Sequence, residues 1–336
     1  MNIVVQKYGG SSVKDKECLE KVTEKIIDTV NKDNKVVVVV SAQGKTTDAL
    51  ISKANEYCDN TYSKEMDLLL STGEIQTVAL LTMMLKSKGY DAIGMTGGQA
   101  GIITDSNYSS AKIKMVMEEN ITKHLEGGNI VVVAGFQGVD KFGNITTLGR
   151  GGSDLSAVAI AASLKADVCE IYTDVDGVFS ADPNIIESAK LIDKVSYDEM
   201  LEAATAGAKV LHNRAVSLAK KYKLKLKVKN TRGEKEGTRV INSSETVNEE
   251  YKTRILAIEK NLAKITIVGE HMYSNAEYIA KIYTAANENN IVIYMLSFSE
   301  IPVEIDIGAK YFTKIRSIYS VADNEQSFSS KSNSNK

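Results

Sequence analysis

A chain of 336 residues, 43% hydrophobic and 25% charged, has the make-up of a globular protein with room for one large domain and a smaller one. Its formal net charge of −2 supplies no basic face for nucleic acid or an anionic membrane. Three cysteines, Cys18, Cys58 and Cys169, lie far apart without a CxxC spacing, which excludes a disulfide framework and a cysteine zinc site.

The first apolar segment, NIVV at 2–5, reads as a strand and runs into KYGGSSV at 7–13. Behind it Leu19, Val22, Ile26, Ile27 and Val30 recur at helical spacing, with Ser12 and Asp15 forming a capping-box pattern at the start. KVVVVV at 35–40, NIVVVAG at 129–135, VCEIYT at 168–173 and LKLKVKN at 224–230 are β-branched runs, most of them continuous rather than alternating. That suits strands covered on both faces. A helix opens at SDLSAVAIAASL, with Ser153 as its expected N-cap. Strand and helix alternate to about residue 240, which predicts a three-layer α/β/α sandwich around a mostly parallel sheet. A large α/β domain is expected over 1–241, a polar linker over 242–252, and a small α+β domain over 253–322. In that domain TRILAIEK and AKITIVGE read as strands, AEYIAKIYTAANENN as a helix and IVIYMLSFSE as a strand, followed by a further strand and helix. Residues 323–336, rich in Ser, Asn and Lys, are expected to be disordered. No signal-peptide core and no run of 18 apolar residues is present, so a soluble, cytoplasmic protein is expected.

Glycine-rich strand ends decide where chemistry can sit. Gly44, Lys45 and Thr46 mimic the end of a P-loop, but the glycine needed five residues earlier is Val39, and no GxGxxG follows a strand. KYGGSS at 7–12, TLGRGGSD at 147–154 and AGFQG at 134–138 remain. Each alone reads equally as a strand-to-helix turn. The first two, taken together, predict a two-sided anion site built from backbone amides and helix N-termini.

These stretches also carry a family resemblance. KYGGSSV resembles the KFGGTSV opening of aspartokinases, members of the amino acid kinase family. In order follow VVVVSAQGKTTDAL (37–50), LLSTGEIQT (69–77), GQAGIITDSNY (98–108), VAGFQGVDKFGNITTLGRGGSDLSAV (133–158), IYTDVDGVFSADP (171–183) and EMLEAATAGAKVLHNRAV (199–216). The resemblance spans residues 3–240 and implies transfer of the ATP γ-phosphoryl group to the side-chain carboxylate of L-aspartate, with Mg²⁺ on the phosphates. No general base is required, because that carboxylate is already ionised near neutral pH.

The resemblance implies roles residue by residue. Lys7 would touch the transferring phosphate, flanked by the amides of Gly9 and Gly10 and the Ser11 hydroxyl. Ser41 and Thr47 would help hold aspartate, Glu74 would pair with its ammonium, and Arg150 would clamp its α-carboxylate. Asp154 would orient the lysine, hold the metal through water, or cap its helix. Thr173, Asp174 and Phe179 would border the nucleotide, and Lys209 would reach its phosphates, so catalysis rests on Lys7, Asp154 and Lys209. Lys227, Lys229, Asn230 and Thr231 would continue the nucleotide loop. No residue is assigned as a direct metal ligand, and His212 is expected to be structural. Gly98 stands where the family usually has Trp, Tyr108 and Lys112 replace a common His and Arg, Asn213 replaces Pro, and Phe179 often is Tyr.

The C-terminal segment resembles an ACT domain, the amino-acid-sensing module of aspartokinases. Room for one such unit implies pairing with another chain's copy, hence a homodimer. Met272, Asn275, Tyr278, Ile293, Ser299 and Glu300 would line its effector site. Tyr294 stands where lysine-inhibited relatives commonly place Asp, so lysine or threonine remains open as effector, as does a purely dimerising module. Two further alternatives also stay open: a kinase acting on another carboxylate, and a regulatory subunit with impaired catalysis.

Overall fold

The computed structural model describes residues 2–58, 63–208, 210–242, 255–257, 262–267, 276–288, 291, 293–298 and 303–308. The chain divides into two compact units, Met1–Ile258 and Glu259–Lys336.

The first unit is built on an eight-stranded sheet. Its central strands are β1 (Asn2–Tyr8) and β2 (Asn34–Val40); β3 (Ala92–Met95) closes one edge. Two further pairs, β4 (Ile102–Thr104) with β5 (Ile113–Val116) and β7 (Gln137–Val139) with β8 (Ile145–Thr147), form a separate four-stranded sheet in the order β5-β4-β7-β8. The main sheet continues with β6 (Ile130–Ala134), β9 (Val168–Thr173), β10 (Lys194–Ser196), β11 (Leu226–Asn230) and β12 (Thr238–Ile241). Its order is β10-β12-β11-β9-β1-β2-β6-β3, and every pairing but β11–β12 is parallel.

The valine run of β2 shows why this layer is central. Val36, Val38 and Val40 point into one core, and Val37 and Val39 into the other. Helices α1 (Lys16–Val30) and α3 (Ser63–Ser87) cover the first core through Leu19, Val22, Ile26, Val78, Leu81 and Leu85. The second is covered by α4 (Glu119–Glu126), α5 (Gly152–Ser163), α6 (Tyr197–Thr205) and α7 (Asn213–Lys221). The expected three-layer sandwich is therefore present. Between β2 and α3 lies α2 (Thr46–Tyr57). By length and composition α3 could cross a membrane, yet half of its apolar window is buried inside the unit. Leu81→Ala removes a fully buried side chain from its sheet-facing side and should cost about 2–5 kcal/mol, read as a lowered urea midpoint at unchanged m-value.

Three local expectations are corrected. Ser153 is not the N-cap of α5: Gly151 is, in the left-handed region at φ 71°, because Gly149 (φ 76°) and Gly151 turn the chain upward before the serine is reached. Ser12 and Asp15 form no capping box. Asp15 itself caps α1, accepting from the Cys18 amide at 2.9 Å, while Ser12 closes a 3₁₀ turn over Gly10–Ser12 and bonds Thr231 Oγ1 at 2.6 Å. A reciprocal capping box occurs instead at Ser196 and Glu199, starting α6. Residues 255–257, read as part of a strand, join no ladder; Leu256 N donates to Ser180 O at 2.7 Å.

In the second unit β13 (Leu262–Ile267), α8 (Ala276–Glu288), β14 (Ile293–Phe298) and β15 (Val303–Gly308) follow one another. The strands lie in the order β13-β15-β14, with β15 antiparallel to both neighbours. Two parallel strands joined through a helix and separated by a third make a split βαβ arrangement, as in ferredoxin-like folds. The further helix expected after β15 lies outside the described residues.

Candidate active site

Ligands of open α/β sheets bind beyond the carboxyl ends of the strands, and here those ends carry the predicted residues. Lys7 is the penultimate residue of β1 and shares the face of Val5, so its side chain turns toward α5. There Nζ meets Asp154 Oδ1 at 2.7 Å, with both side chains about seven-eighths buried. Asp154 sits in the first turn of α5, whose cap has no side-chain bond, so its carboxylate serves the lysine rather than the helix end. A Cβ added at Gly9 would lie 3.3 Å from Lys7 Nζ, which places the ammonium under that glycine's backbone.

The ends of β1 and β2 are stitched together. Ser41 N donates to Tyr8 O at 3.1 Å and Gly44 N to Gly10 O at 3.0 Å. A Cβ at Gly10 would stand 2.9 Å from Ala42 O, so only glycine lets these two loops approach. Ala42 N in turn donates to Glu74 Oε1 at 3.0 Å. Glu74, on the sheet side of α3, is 3% exposed, and its Oε2 is buried without a hydrogen-bond partner among the described residues. Burial outweighs the Ala42 hydrogen bond and pushes its carboxyl up from an ordinary 4.5 to about 7.

One cavity of about 310 Å³ joins these groups. Lys7, Gly9, Gly10, Ser41, Thr47, Glu74, Arg150 and Asp154 all line it, together with Ala42, Gly44, Phe136 and Ser153, to which the sequence assigned no binding role. Ser11 stands exposed in the 3₁₀ turn and does not line this cavity. Arg150 is exposed at the rim, on a loop whose Gly149 and Gly151 have positive φ. The cavity thus sets two cations, one unpartnered carboxylate oxygen and the N-terminus of α5 around one small volume. An amphoteric substrate with an ammonium and carboxylates fits that donor set.

A second cavity, about 390 Å³, is lined by Thr173, Asp174 and Phe179 together with Val175, Pro183, Ala208 and Leu256. It adjoins the first through the β1–β9 pair: Gly9 N donates to Tyr172 O at 3.4 Å, and Tyr8 stacks on Tyr172 with ring centroids 4.6 Å apart. Thr173 O accepts from Thr231 N at 2.9 Å, so Thr231 ties this loop to Ser12 and the glycine turn. Lys229 and Lys227 are engaged elsewhere, with Glu170 at 3.3 Å and Glu236 at 3.4 Å, and Asn230 donates to Asp176 at 2.7 Å. Lys209 lies outside the described residues, as do Met272, Asn275, Ser299 and Glu300. Tyr278 falls on α8 and Ile293 begins β14, where it pairs with Ile307.

The departures find local explanations. Asn213 takes the first helical position of α7, where proline is well tolerated, and instead donates to Thr205 Oγ1 at 3.1 Å. Tyr108 donates to Asp140 at 3.2 Å. A Cβ at Gly98 would come within 2.6 Å of Val139, which occupies the space a larger residue would need. His212 caps α7 through Nδ1, accepting from Arg214 N at 3.4 Å, and its ring packs against Gly151; burial lowers its pKa.

No cluster of three metal-ligating side chains occurs among the described residues. A magnesium ion carried by a nucleotide needs fewer, because phosphates and waters would supply most of its oxygens; Asp154, facing the first cavity, fits that need.

Residues 2–230 match the model of the amino acid kinase family. An aspartokinase of Geobacillus stearothermophilus is 46% identical over 291 residues, covering 87% of this chain and 71% of the relative. Aspartokinase 2 of Bacillus subtilis is 45% identical over the same length, with the same coverage. Among solved structures, E. coli aspartokinase III in complex with lysine and aspartate superposes with a TM-score of 0.77 at 25% identity, covering 91% of this chain and 79% of that one.

Proposed function

The chain belongs to the amino acid kinase family and, within it, to the aspartokinases, and on that premise we propose how its residues carry the reaction. It is an aspartate kinase, transferring the γ-phosphoryl group of ATP to the side-chain carboxylate of L-aspartate at the entry to lysine, threonine and methionine synthesis. The bond between the γ-phosphorus and the bridging oxygen breaks, ADP leaves with that electron pair, and a carboxylate oxygen of aspartate forms the new bond. No proton moves in the transfer itself. The protein's contribution is therefore placement and charge, and the single observation that carries this reading is one cavity lined by both the Lys7–Asp154 ion pair and Glu74, whose buried Oε2 has no partner among the described residues.

Glu74 Oε2 takes the substrate ammonium, which supplies the partner that buried oxygen lacks. Arg150 takes the α-carboxylate from the rim, with Ser41 and Thr47 closing the sides. Aspartate's side chain then points to Lys7, whose ammonium moves its attention from Asp154 toward the equatorial oxygens of the transferring group. The Gly10 amide and the α5 N-terminus add fixed donors, and the Gly9 amide, which donates to Tyr172 O, holds the turn in place. Thr173, Asp174 and Phe179 border the nucleotide, with Ser11 toward its phosphates, and the family pattern gives Lys209 a phosphate-binding role as well. Asp154 is the carboxylate that would hold magnesium through water, and the bound ion would neutralise phosphate charge.

The second unit is read as an ACT-type module that binds a small amino acid and pairs with a second copy of the chain. Its split βαβ topology supports that reading, and E. coli aspartokinase III was solved with lysine bound. Lysine or threonine is the effector class, and the cytoplasm, where ATP and free aspartate meet, is the compartment.

ADP release measured with ATP, Mg²⁺ and each candidate acceptor tests the function. Turnover with L-aspartate and little with glutamate is expected; turnover with glutamate alone moves the protein to another branch, and none from folded protein makes it a regulatory subunit. Arg150→Ala should raise the aspartate KM by roughly a hundredfold, because a bidentate clamp is lost, while the ATP KM stays within about twofold.

A further inference from the structure

We propose that Asp67 is the positioning residue that holds the Arg150 loop at a fixed distance from Glu74, and so helps set the length of acceptor the site takes. This rests on the roles given above to Arg150 and Glu74. Asp67 and Glu74 are seven residues apart on α3, two helical turns, and both side chains are buried toward the sheets. Between them Ser71 is buried on the same face, and its carbonyl accepts from Gln137 Nε2 at 2.9 Å.

The Asp67 carboxylate is fully buried, and among the described residues no cation pairs with it; hydrogen bonds hold it instead. Ser109 N donates to its two oxygens at 3.0 and 2.9 Å. Thr147 N donates to Oδ2 and Thr147 Oγ1 to Oδ1, both at 2.7 Å, and Ser109 Oγ lies at 3.4 Å. Short bonds to an ionised acceptor are the strong kind, and burying a charge to make them indicates a demand for fixed geometry. Thr147 is the last residue of β8 and stands three residues before Arg150. Its neighbour Leu148 is held too: the amide donates to Phe136 O at 2.8 Å and the carbonyl accepts from Arg214 Nη1 at 2.6 Å. Beyond Leu148 come Gly149 and Gly151, both at positive φ. The loop is thus anchored at its root, and Asp67 is the anchor on the helix that carries Glu74.

Asparagine at this position presents an NH₂ group to donors that need an acceptor, so at least one of the Thr147 and Ser109 bonds is lost and the loop root shifts. With its α-carboxylate clamp displaced by even about 1 Å, aspartate is held off its productive pose, and an acceptor one methylene longer is less disfavoured. In the full-length chain, Asp67→Asn should raise the aspartate KM about tenfold or more, leave the ATP KM within about twofold, and lower the preference for aspartate over glutamate in kcat/KM about fivefold. Thr147→Val, which removes one hydroxyl donor and keeps the side-chain shape, should shift the aspartate KM the same way by about threefold, and it decides the matter where Asp67→Asn does not fold. A folded variant with unchanged KM and unchanged preference overturns the proposal. So does a fall in kcat and thermal midpoint that leaves KM and preference alone, which marks a purely structural carboxylate. Wild-type enzyme run alongside separates this failure from that of the functional reading, which would show as absent aspartate turnover before any substitution.

Discussion

Lys7→Ala lowers kcat about a thousandfold or more, roughly 4 kcal/mol of transition-state stabilisation, while the aspartate KM changes little. The expectation follows from where the ammonium sits. It lies beneath the Gly9 backbone, inside a cavity that α5 and the β1–β2 loop ends close, and its partner in the free protein is Asp154 at 2.7 Å. A cation held in such a place makes its strongest interaction when negative charge spreads over the transferring phosphoryl group. The substitution also strands the largely buried Asp154 carboxylate, which by itself destabilises the protein. Pairing Lys7→Met with Asp154→Asn separates the two effects. The double variant should recover thermal stability and remain catalytically poor. Recovery of turnover in the double variant, or unchanged turnover in Lys7→Ala, would sink the role assigned to Lys7.

Glu74→Gln produces an opposed pair of effects. The aspartate KM rises about a hundredfold, because a buried charge that would meet the substrate ammonium is gone. Stability rises at the same time, in a pH-dependent way. The folded protein holds the Glu74 proton up to about pH 7, whereas the unfolded chain releases it near 4.5. Folding therefore binds a proton between those values, and stability falls as pH rises through that window and levels off above it. The penalty at pH 8 is about 3 kcal/mol, which the amide does not carry. Thermal midpoints measured at pH 5 and pH 8 should show the glutamine variant ahead of wild type at pH 8 and nearly level at pH 5. In wild type the aspartate KM should rise as pH drops below about 7, with a proton released on binding. A flat KM between pH 6 and 8 would show that Glu74 is ionised before substrate arrives.

Much of this site could be read from residue order, and particular residues explain where that stopped. Lys7, Gly9, Gly10, Arg150 and Asp154 were expected together because glycine-rich strand ends and the family pattern both point to them, and Ser41, Thr47 and Glu74 were expected from the family pattern alone; one cavity joins all eight. The valine run was legible as a doubly covered strand, since β-branched residues without alternation have no solvent face. Asp67 was not legible. It sits in a mostly apolar helical stretch, and only its spacing of seven from Glu74 hints that it shares the inner face. Arg214 was hidden for a related reason: it acts through backbone carbonyls that are distant in sequence, at Leu148 and Ala111. The four-stranded side sheet was missed because its strands have only three or four residues, too few to reveal a period. The misplaced N-cap of α5 has another cause, since serine preference is overridden where left-handed glycines set the turn.

The central claim is that the group phosphorylated here is the side-chain carboxylate of aspartate, held by Glu74 and Arg150 and facing Lys7. Trapping the acyl phosphate with hydroxylamine during turnover with ATP, Mg²⁺ and L-aspartate, and locating the hydroxamate by NMR, tests it most directly. The account predicts a hydroxamate on the side-chain carbon alone, formed in step with ADP. A hydroxamate on the α-carboxyl carbon, or ADP formed without any hydroxamate, would contradict it.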